Sequence, residues 1–445
     1  MSDALREPRI HPGRPPDPDG REIAREPNAI KRFLRVLGPG LVTGASDDDP
    51  SGIGTYAQAG AQFGFLTLWA TIAMLPMMIA VQYMCAKIGL VTGRGLSGVI
   101  RRRYHAAVLY PVVLGLVVAN TVNAGADIAA IAAALNLVVP LPPAMFIVPV
   151  TLGILALQVL GSYALIARIF KWLALALLAY IGAALLARPN LGSVLAGTLL
   201  PTIRLDPAYL GILVALLGTT ISPYLFFWQA GQEVEEEIGI GRRLLWQREG
   251  ATSGELHFAL VDTVGGMVLS EVVAYFIILA TGATLFAAGH HQVTSATDAA
   301  QALRPIAGDL ASLLLAVGLA GAGILAVPIL TGSAAYGVSE AFGWRFGLDR
   351  APARAPQFYG VIVAGTLVAM VISLVANNPM GALVVAAVIN GLLAPPILIL
   401  VMLICRDRTV MGRRTNGRLL NVVGWATTLL MSLAALALIA TTVMG

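Results

Sequence analysis

The sequence predicts an all-α polytopic membrane protein of about eleven transmembrane helices, and three observations carry that prediction. Of the 445 residues, 57% are hydrophobic and 12% are charged, with mean hydropathy +0.80, far more apolar than an ordinary soluble domain. Apolar runs of about 20 residues, the length a helix needs to cross a hydrocarbon core, recur along the whole chain. Lys and Arg concentrate in alternate connections between those runs, as expected of a chain that threads back and forth through a bilayer. Helices are expected because a lipid-exposed backbone must satisfy its own hydrogen bonds.

The stretch before Glu26 is rich in Pro, Arg and Asp with no apolar centre, which argues against a signal peptide. Residues 1–33 are expected to form a disordered cytoplasmic tail, and 34–445 a transmembrane domain. The spans read at roughly 36–61, 64–90, 107–136, 143–160, 163–187, 207–231, 258–286, 309–340, 357–376, 380–404 and 419–443. Arg21 to Arg35 precede the first span. Arg101 to Arg103, Arg168 with Lys171, Arg242 with Arg243, Arg345 with Arg350, and Arg406 to Arg418 follow even-numbered spans. The intervening connections (AQFGF, LPLPP, ANNPM) are nearly free of Lys and Arg. The positive-inside rule therefore puts the N-terminus in the cytoplasm and the C-terminus outside an inner membrane.

Two spans are interrupted by polar residues at membrane depth. The first reads LGPGLVTGASDDDPSGIGTYAQAGAQFG, with Asp47, Asp48, Asp49 and Pro50 at its middle. The sixth reads LGILVALLGTTISPYLFFWQAGQE, interrupted at Thr219, Thr220, Ser222 and Pro223. If the first ten spans are two five-helix units, each break falls in the first helix of its unit. That is the pattern of inverted-repeat transporters, whose sites lie between two discontinuous helices. The units would cover about 36–187 and about 207–404, with an extra helix at about 419–443.

A carboxylate near the bilayer centre costs about 2.5–3.5 kcal/mol, so three in a row line water or hold a cation. Pro50 deprives carbonyls near Ala45 and Ser46 of helical partners, and Pro223 does the same to the carbonyl of Thr219. Adding the hydroxyls of Thr219, Thr220 and Ser222 makes an all-oxygen environment, which suits a hard cation such as Mg²⁺, Ca²⁺ or Mn²⁺. One aspartate could instead cap the helix that begins at Pro50, and Ser222-Pro223 taken alone reads as an ordinary kink.

Asp127, deep in the third span, is either a buried acid satisfied by Asn120 or Asn123 or part of a polar or proton pathway. The run Glu233 to Glu237 reads as a solvated cytoplasmic helix end, and His290 and His291 as exposed loop residues. Cys85 and Cys405 have no metal-ligand spacing and read as packing residues. Gly40/Gly44 and Gly60/Gly64 have the spacing for close helix contact. The pI of about 9.4 comes from scattered loops, so no nucleic-acid partner is inferred. No nucleotide-binding loop, His-Glu-x-x-His or Gly-x-Ser-x-Gly occurs, and the tally favours transport over catalysis.

These residues resemble a family. GPGLVTGASDDDPSGIGTYAQAGAQFG is similar to the first helix of the Nramp divalent-metal transporters, with their Asp-Pro-Gly-Asn motif. TISPYLFFWQ resembles the sixth-helix Met-Pro-His motif and AGADIAAI the third-helix Thr-Asp-Leu-Ala-Glu motif. The resemblance implies the LeuT-like 5+5 inverted-repeat fold with helices 1 and 6 interrupted. It implies that Asp49 is the metal-binding aspartate and that Thr219 lends a carbonyl. Gly52 stands in place of the binding asparagine, Ser222 in place of the metal-selecting methionine, and Tyr224 in place of a histidine tied to proton transfer. Asp127 matches the third-helix aspartate while Ala130 replaces the glutamate, and Asn390 aligns loosely as a supporting residue. This set is most similar to the Nramp-related magnesium transporters, which carry Mg²⁺ as well as Mn²⁺.

Chemistry points the same way. Methionine sulfur favours transition metals, so a hydroxyl at Ser222 removes discrimination against Mg²⁺, and the small Gly52 and Ser222 leave room for a partly hydrated ion. The expected protein imports Mg²⁺ and Mn²⁺ as substrates by alternating access. It is driven by voltage without proton coupling, with no bound cofactor, no enzyme activity and no obligate protein partner. The rivals are a proton-coupled Mn²⁺/Fe²⁺ symporter, a transporter-like receptor, which would be expected to carry a large soluble domain, and an organic-solute carrier.

Overall fold

The computed structural model describes residues 10, 38–160, 179–302, 308–348, 350–376 and 378–444, and among them every regular element is a helix. In chain order the helices of six or more residues are α1 (Pro39–Asp47), α2 (Pro50–Phe63), α3 (Leu68–Thr92), α4 (Leu96–Arg103), α5 (Ala106–Asn136), α6 (Pro143–Leu160), α7 (Ala179–Leu186) and α8 (Leu191–Leu199). They continue as α9 (Pro207–Thr220), α10 (Pro223–Gly239), α11 (Ser253–Thr281), α12 (Ala296–Gln301), α13 (Ala311–Phe342), α14 (Pro356–Val375), α15 (Pro379–Arg406) and α16 (Arg418–Met444). The expected tail, except residue 10, the first two residues of the expected first span and residues 163–178 of the expected fifth span lie outside the described residues.

Among the described residues nine helices are long and apolar enough to cross a membrane, counting α9 with α10 as one. Polarity is inverted relative to a soluble protein. The peripheral α5, α6, α14 and α16 expose Leu114, Leu152, Val371 and Leu429, whereas Asp47, Asp48, Asp49 and Asp127 are buried. That distribution suits a lipid exterior, which rewards apolar surface and penalises unsatisfied polar groups. The central α9 and α10 are almost wholly enclosed, while α16 presents most of its surface outward.

Both expected interruptions are present and share one backbone pattern. Asp48 ends α1 at φ −81°, ψ 47°, and Asp49 is extended at φ −68°, ψ 168° before Pro50 opens α2. Ile221 ends α9 at φ −112°, ψ 60°, and Ser222 is extended at φ −81°, ψ 135° before Pro223 opens α10. The cause is local: a residue preceding proline is pushed out of the helical region, while proline itself is well suited to the first helical position. The half-helices pair crosswise, α1 with α10 and α2 with α9, so the two broken helices run antiparallel and their breaks meet.

Glycine permits the closest approaches. A Cβ on Gly44 would lie 2.3 Å from the carbonyl carbon of Gly266, so α1 and α11 touch backbone to backbone, as the Gly40/Gly44 spacing predicts. Gly218 of α9 meets α15 likewise, its Cβ falling 2.1 Å from the carbonyl oxygen of Ala387. Distant carboxylates satisfy helix starts. Asp262 of α11 accepts from the N–H groups of Gly38, Gly40 and Leu41 at 2.8, 2.5 and 3.1 Å, and Glu340 of α13 accepts from Gly95 and Gly98 at 2.7 and 3.0 Å.

One surface expectation is corrected. Glu233, Glu235 and Glu237 are buried, and only Glu236 of that run is exposed. The chain reverses at Gly241, φ +95°, and returns the buried Arg242 onto Glu237 at 2.6 Å and Glu255 at 2.9 Å. Charge pairing across that turn, invisible to helical spacing, offsets the cost of burial. Cys85 and Cys405 are both buried and unbonded, and His290 and His291 are exposed.

Candidate cation site at the paired helix breaks

Asp49 is 1% exposed and its carboxylate is divided between two helices. Its Oδ1 accepts from the Ser51 hydroxyl at 2.7 Å and the Gly52 N–H at 2.6 Å, so it caps α2 as a helix-starting aspartate does. Its Oδ2 accepts from Nδ2 of Asn123, on α5, at 2.9 Å. Asn123 is fully buried and its own Oδ1 has no hydrogen-bond partner. One turn on, Asp127 is also fully buried, neither of its oxygens meets a donor in good hydrogen-bond geometry although the Ser51 N–H lies close by, and it is near enough to Asp49 to interact with it electrostatically. The expectation that Asn120 or Asn123 satisfies Asp127 is therefore corrected: Asn120 donates instead to the Leu330 carbonyl and the Ser333 hydroxyl of α13.

The sixth-span break supplies the facing wall. The Ser222 hydroxyl donates back to the carbonyls of Gly218 at 2.5 Å and Thr219 at 2.7 Å. The Thr219 carbonyl is thus not the free oxygen expected; the Thr219 hydroxyl is, buried and without a partner. Thr219 Oγ1 would lie 3.3 Å from a Cβ placed on Gly52, and the Asp47 carbonyl oxygen only 2.9 Å from it. Gly52 consequently marks a close approach of the two breaks, with no space for a side chain at that position. Tyr224 donates its hydroxyl to the Ser46 carbonyl at 2.9 Å, which ties the start of α10 to the end of α1. Thr220 stands 3.4 Å from the hydroxyl of Tyr56 on α2.

The aspartate triplet does not act as a block. Asp47 and Asp48 turn toward α11, where the Ser270 hydroxyl lies 2.6 Å from Asp47 and 3.3 Å from Asp48. Glu271 beside it is buried with both carboxylate oxygens unpartnered, and it interacts electrostatically with the pair. Among the described residues no three of His, Cys, Asp and Glu converge as a ready-made metal cage. A cation at the breaks would therefore be held by one or two carboxylates supplemented by neutral oxygens. Asn390 of α15 is buried with both amide atoms unpartnered, next to Gly391 where α15 meets α9, and is not joined to Asp49. Asn123, Tyr56, Ser270 and Glu271 are not among the expected site residues. Glu271, an acid inside an apolar run, is legible by the rule that singles out Asp127.

Asp49 and Ser222 are both shut off from solvent in this conformation. A cavity of about 340 Å³, lined by Gln58, Gly211, Val293, Asn378 and Gly381, opens at the end of α2 remote from the break.

The sequence profile described as natural resistance-associated macrophage protein-like, or Nramp, matches residues 40–441, which takes in every element of the site. The chain belongs to the Nramp family. Among its relatives, the divalent metal cation transporter MntH of Aeromonas hydrophila subsp. hydrophila is 29% identical over 405 residues, covering 89% of this chain and 93% of the relative. A solved variant of the manganese transporter of Eremococcus coleocola superposes with TM-score 0.71 at 18% identity, covering 92% of this chain and 87% of the other. Mhp1, a nucleobase-cation-symport-1 family transporter in a closed conformation, superposes with TM-score 0.56 at 14% identity, covering 92% and 93%. At those identities the structural likeness shows a fold shared by the Nramp chain with transporters of dissimilar substrates, so the cargo has to be argued from the residues.

Proposed function

We propose that this Nramp family member is a secondary transporter that imports divalent metal cations, Mg²⁺ and Mn²⁺, by alternating access. The observation that carries the reading is the meeting of two helix breaks around the buried Asp49, with no Lys or Arg bonded to it among the described residues. A buried carboxylate in that setting is best accounted for by a doubly positive guest. The relatives named as divalent metal cation transporters support the same substrate class. Asp49 is the charged ligand, Thr219 and Ser222 are neutral oxygens, and Gly52 admits the close contact of the breaks. Asp127, Asp48, Asp47, Thr220, Tyr224 and Asn390 border the path. With hydroxyls where a thioether would select softer ions, Mg²⁺ competes with Mn²⁺.

The architecture is eleven spans, ten of them in a 5+5 inverted repeat of about 36–187 and about 207–404, followed by one extra helix. The shared backbone pattern of the two breaks and their antiparallel pairing support the repeat. The tail at 1–33 and the N-terminus lie in the cytoplasm and the C-terminus outside. Uptake of Mn²⁺ into proteoliposomes against a series of competing divalent ions tests the substrate. Mg²⁺ competing at concentrations comparable to Mn²⁺ is expected, and indifference to Mg²⁺ would sink the magnesium assignment. A second reading, proton-coupled Mn²⁺ symport, is favoured by the two unpartnered oxygens of Asp127 beside Asp49. Internal acidification in step with Mn²⁺ entry would decide for it.

A further inference from the structure

We infer that Asn123 is a ligand of the transported cation and a donor–acceptor switch, supplying from α5 the amide oxygen that Gly52 cannot supply from α2. The inference rests on Asp49 as the charged ligand, the reading given above. Three observations carry it. Asn123 is fully buried and touches the proposed metal-binding carboxylate directly, its Nδ2 donating to Asp49 Oδ2 at 2.9 Å. Its Oδ1 is buried with no hydrogen-bond partner, a condition that polar groups in a protein interior rarely tolerate without a ligand to meet. Position 52 has no side chain and no space for one, because the Asp47 carbonyl oxygen stands 2.9 Å from where its Cβ would be.

The two ends of a carboxamide are nearly the same size, so a half-turn of the amide exchanges donor for acceptor without moving any other atom far. Without a cation, Nδ2 faces Asp49 and partly neutralises it. With a cation, Oδ1 takes that place. Mg²⁺ holds its oxygens at about 2.0–2.1 Å in an octahedron, which puts adjacent ligands about 3 Å apart. The observed 2.9 Å between the amide and Asp49 Oδ2 already has that spacing. The turned amide then presents its NH₂ on the side Oδ1 vacates. Asp127, four residues along the same helix face, has two unpartnered oxygens to receive it. The amide thereby reports the state of Asp49 to Asp127, which gives this pair a way to distinguish a loaded from an empty site.

The test is equilibrium binding of Mg²⁺, Mn²⁺ and Cd²⁺ to the purified full-length protein, each variant checked for a monodisperse gel-filtration peak. Asn123→Leu, which keeps the shape and removes both polar ends, is expected to weaken Mg²⁺ and Mn²⁺ about tenfold or more. Asn123→Asp, which keeps an oxygen at the same place, is expected to retain Mg²⁺ within a few-fold. Asn123→Cys, which replaces a hard oxygen by a soft sulfur, is expected to raise the Cd²⁺ to Mg²⁺ affinity ratio at least tenfold. A residue that only steadies Asp49 cannot change that ratio. The inference is overturned if Asn123→Cys lowers all three affinities by one common factor, or if Asn123→Leu binds Mg²⁺ as wild type does. Should Asn123→Leu not fold, the ratio in Asn123→Cys still decides. Failure of wild type itself to bind any of the three ions, or full binding by Asp49→Ala, would instead refute the proposed function on which the inference depends.

Discussion

At the scale of single residues, the economy of the site is set by how few groups neutralise its charge. Asp49 spends one oxygen on the N-terminus of α2 and the other on Asn123, so among the described residues its negative charge is held by three hydrogen bonds, with no Lys or Arg bonded to it. Asp49→Ala is expected to abolish uptake and to leave the protein monodisperse, since alanine loses a cap worth about 0.5–2 kcal/mol but also removes a buried charge. Radiotracer uptake beside gel filtration measures both, and full uptake would refute the site. Ser222 bends its hydroxyl proton onto the carbonyls of its own broken turn, which leaves the oxygen's lone pairs as its contribution. Ser222→Met substitutes a soft thioether for that hard oxygen and is expected to raise discrimination for Mn²⁺ over Mg²⁺. An unchanged ratio in competition assays would count against Ser222 as a ligand.

Between elements, the half-helix α1 is the piece that the rest of the protein holds most deliberately. Its N-terminal N–H groups are received by a carboxylate more than two hundred residues away in sequence, Asp262, and its glycines lie against the backbone of the same helix α11. Its C-terminal end is tied to α10 by Tyr224 and approached by Ser270. Contacts therefore join α1 to α11 along its length and to α10 at its C-terminal end. Asp262→Ala leaves three backbone donors without their acceptor and is expected to destabilise this end by at least a cap's worth, about 0.5–2 kcal/mol. Hydrogen exchange of the amides at 38–41 should quicken while that of α13 and α15 stays unchanged; a uniform change across the protein would argue against the local role.

For the whole molecule, the driving force is the quantity to test. A doubly charged ion entering across 100 mV, negative inside, gains about 4.6 kcal/mol, twice the value for a single charge. Voltage-driven uptake is therefore expected to rise steeply when potassium-diffusion potentials are imposed on proteoliposomes, with no accompanying pH change inside. Uptake indifferent to the imposed potential would remove the uniport mechanism. The buried Asp49 describes a conformation closed over the site, with a cavity lined by Gln58 at the end of α2 remote from the break. Alternating access requires that other conformations open the path to Asp49 from each side in turn.

Much of this was legible in one dimension because membrane insertion is a one-dimensional problem. Runs of apolar residues and a proline after a small polar residue each act through the local backbone or the bilayer, so the nine long apolar helices among the described residues and both breaks could be placed from sequence alone. What spacing could not convey is which oxygen faces which neighbour. The split of the Asp triplet between α5 and α11 and the capture of Asp49 by Asn123 depend on contacts between segments far apart in the chain, and the retreat of the Thr219 carbonyl behind Ser222 and the pairing of Arg242 with Glu237 depend on how a break and a turn fold back on themselves. Hydrogen bonds are directional and short in range, and only the packed helices determine who stands within that range.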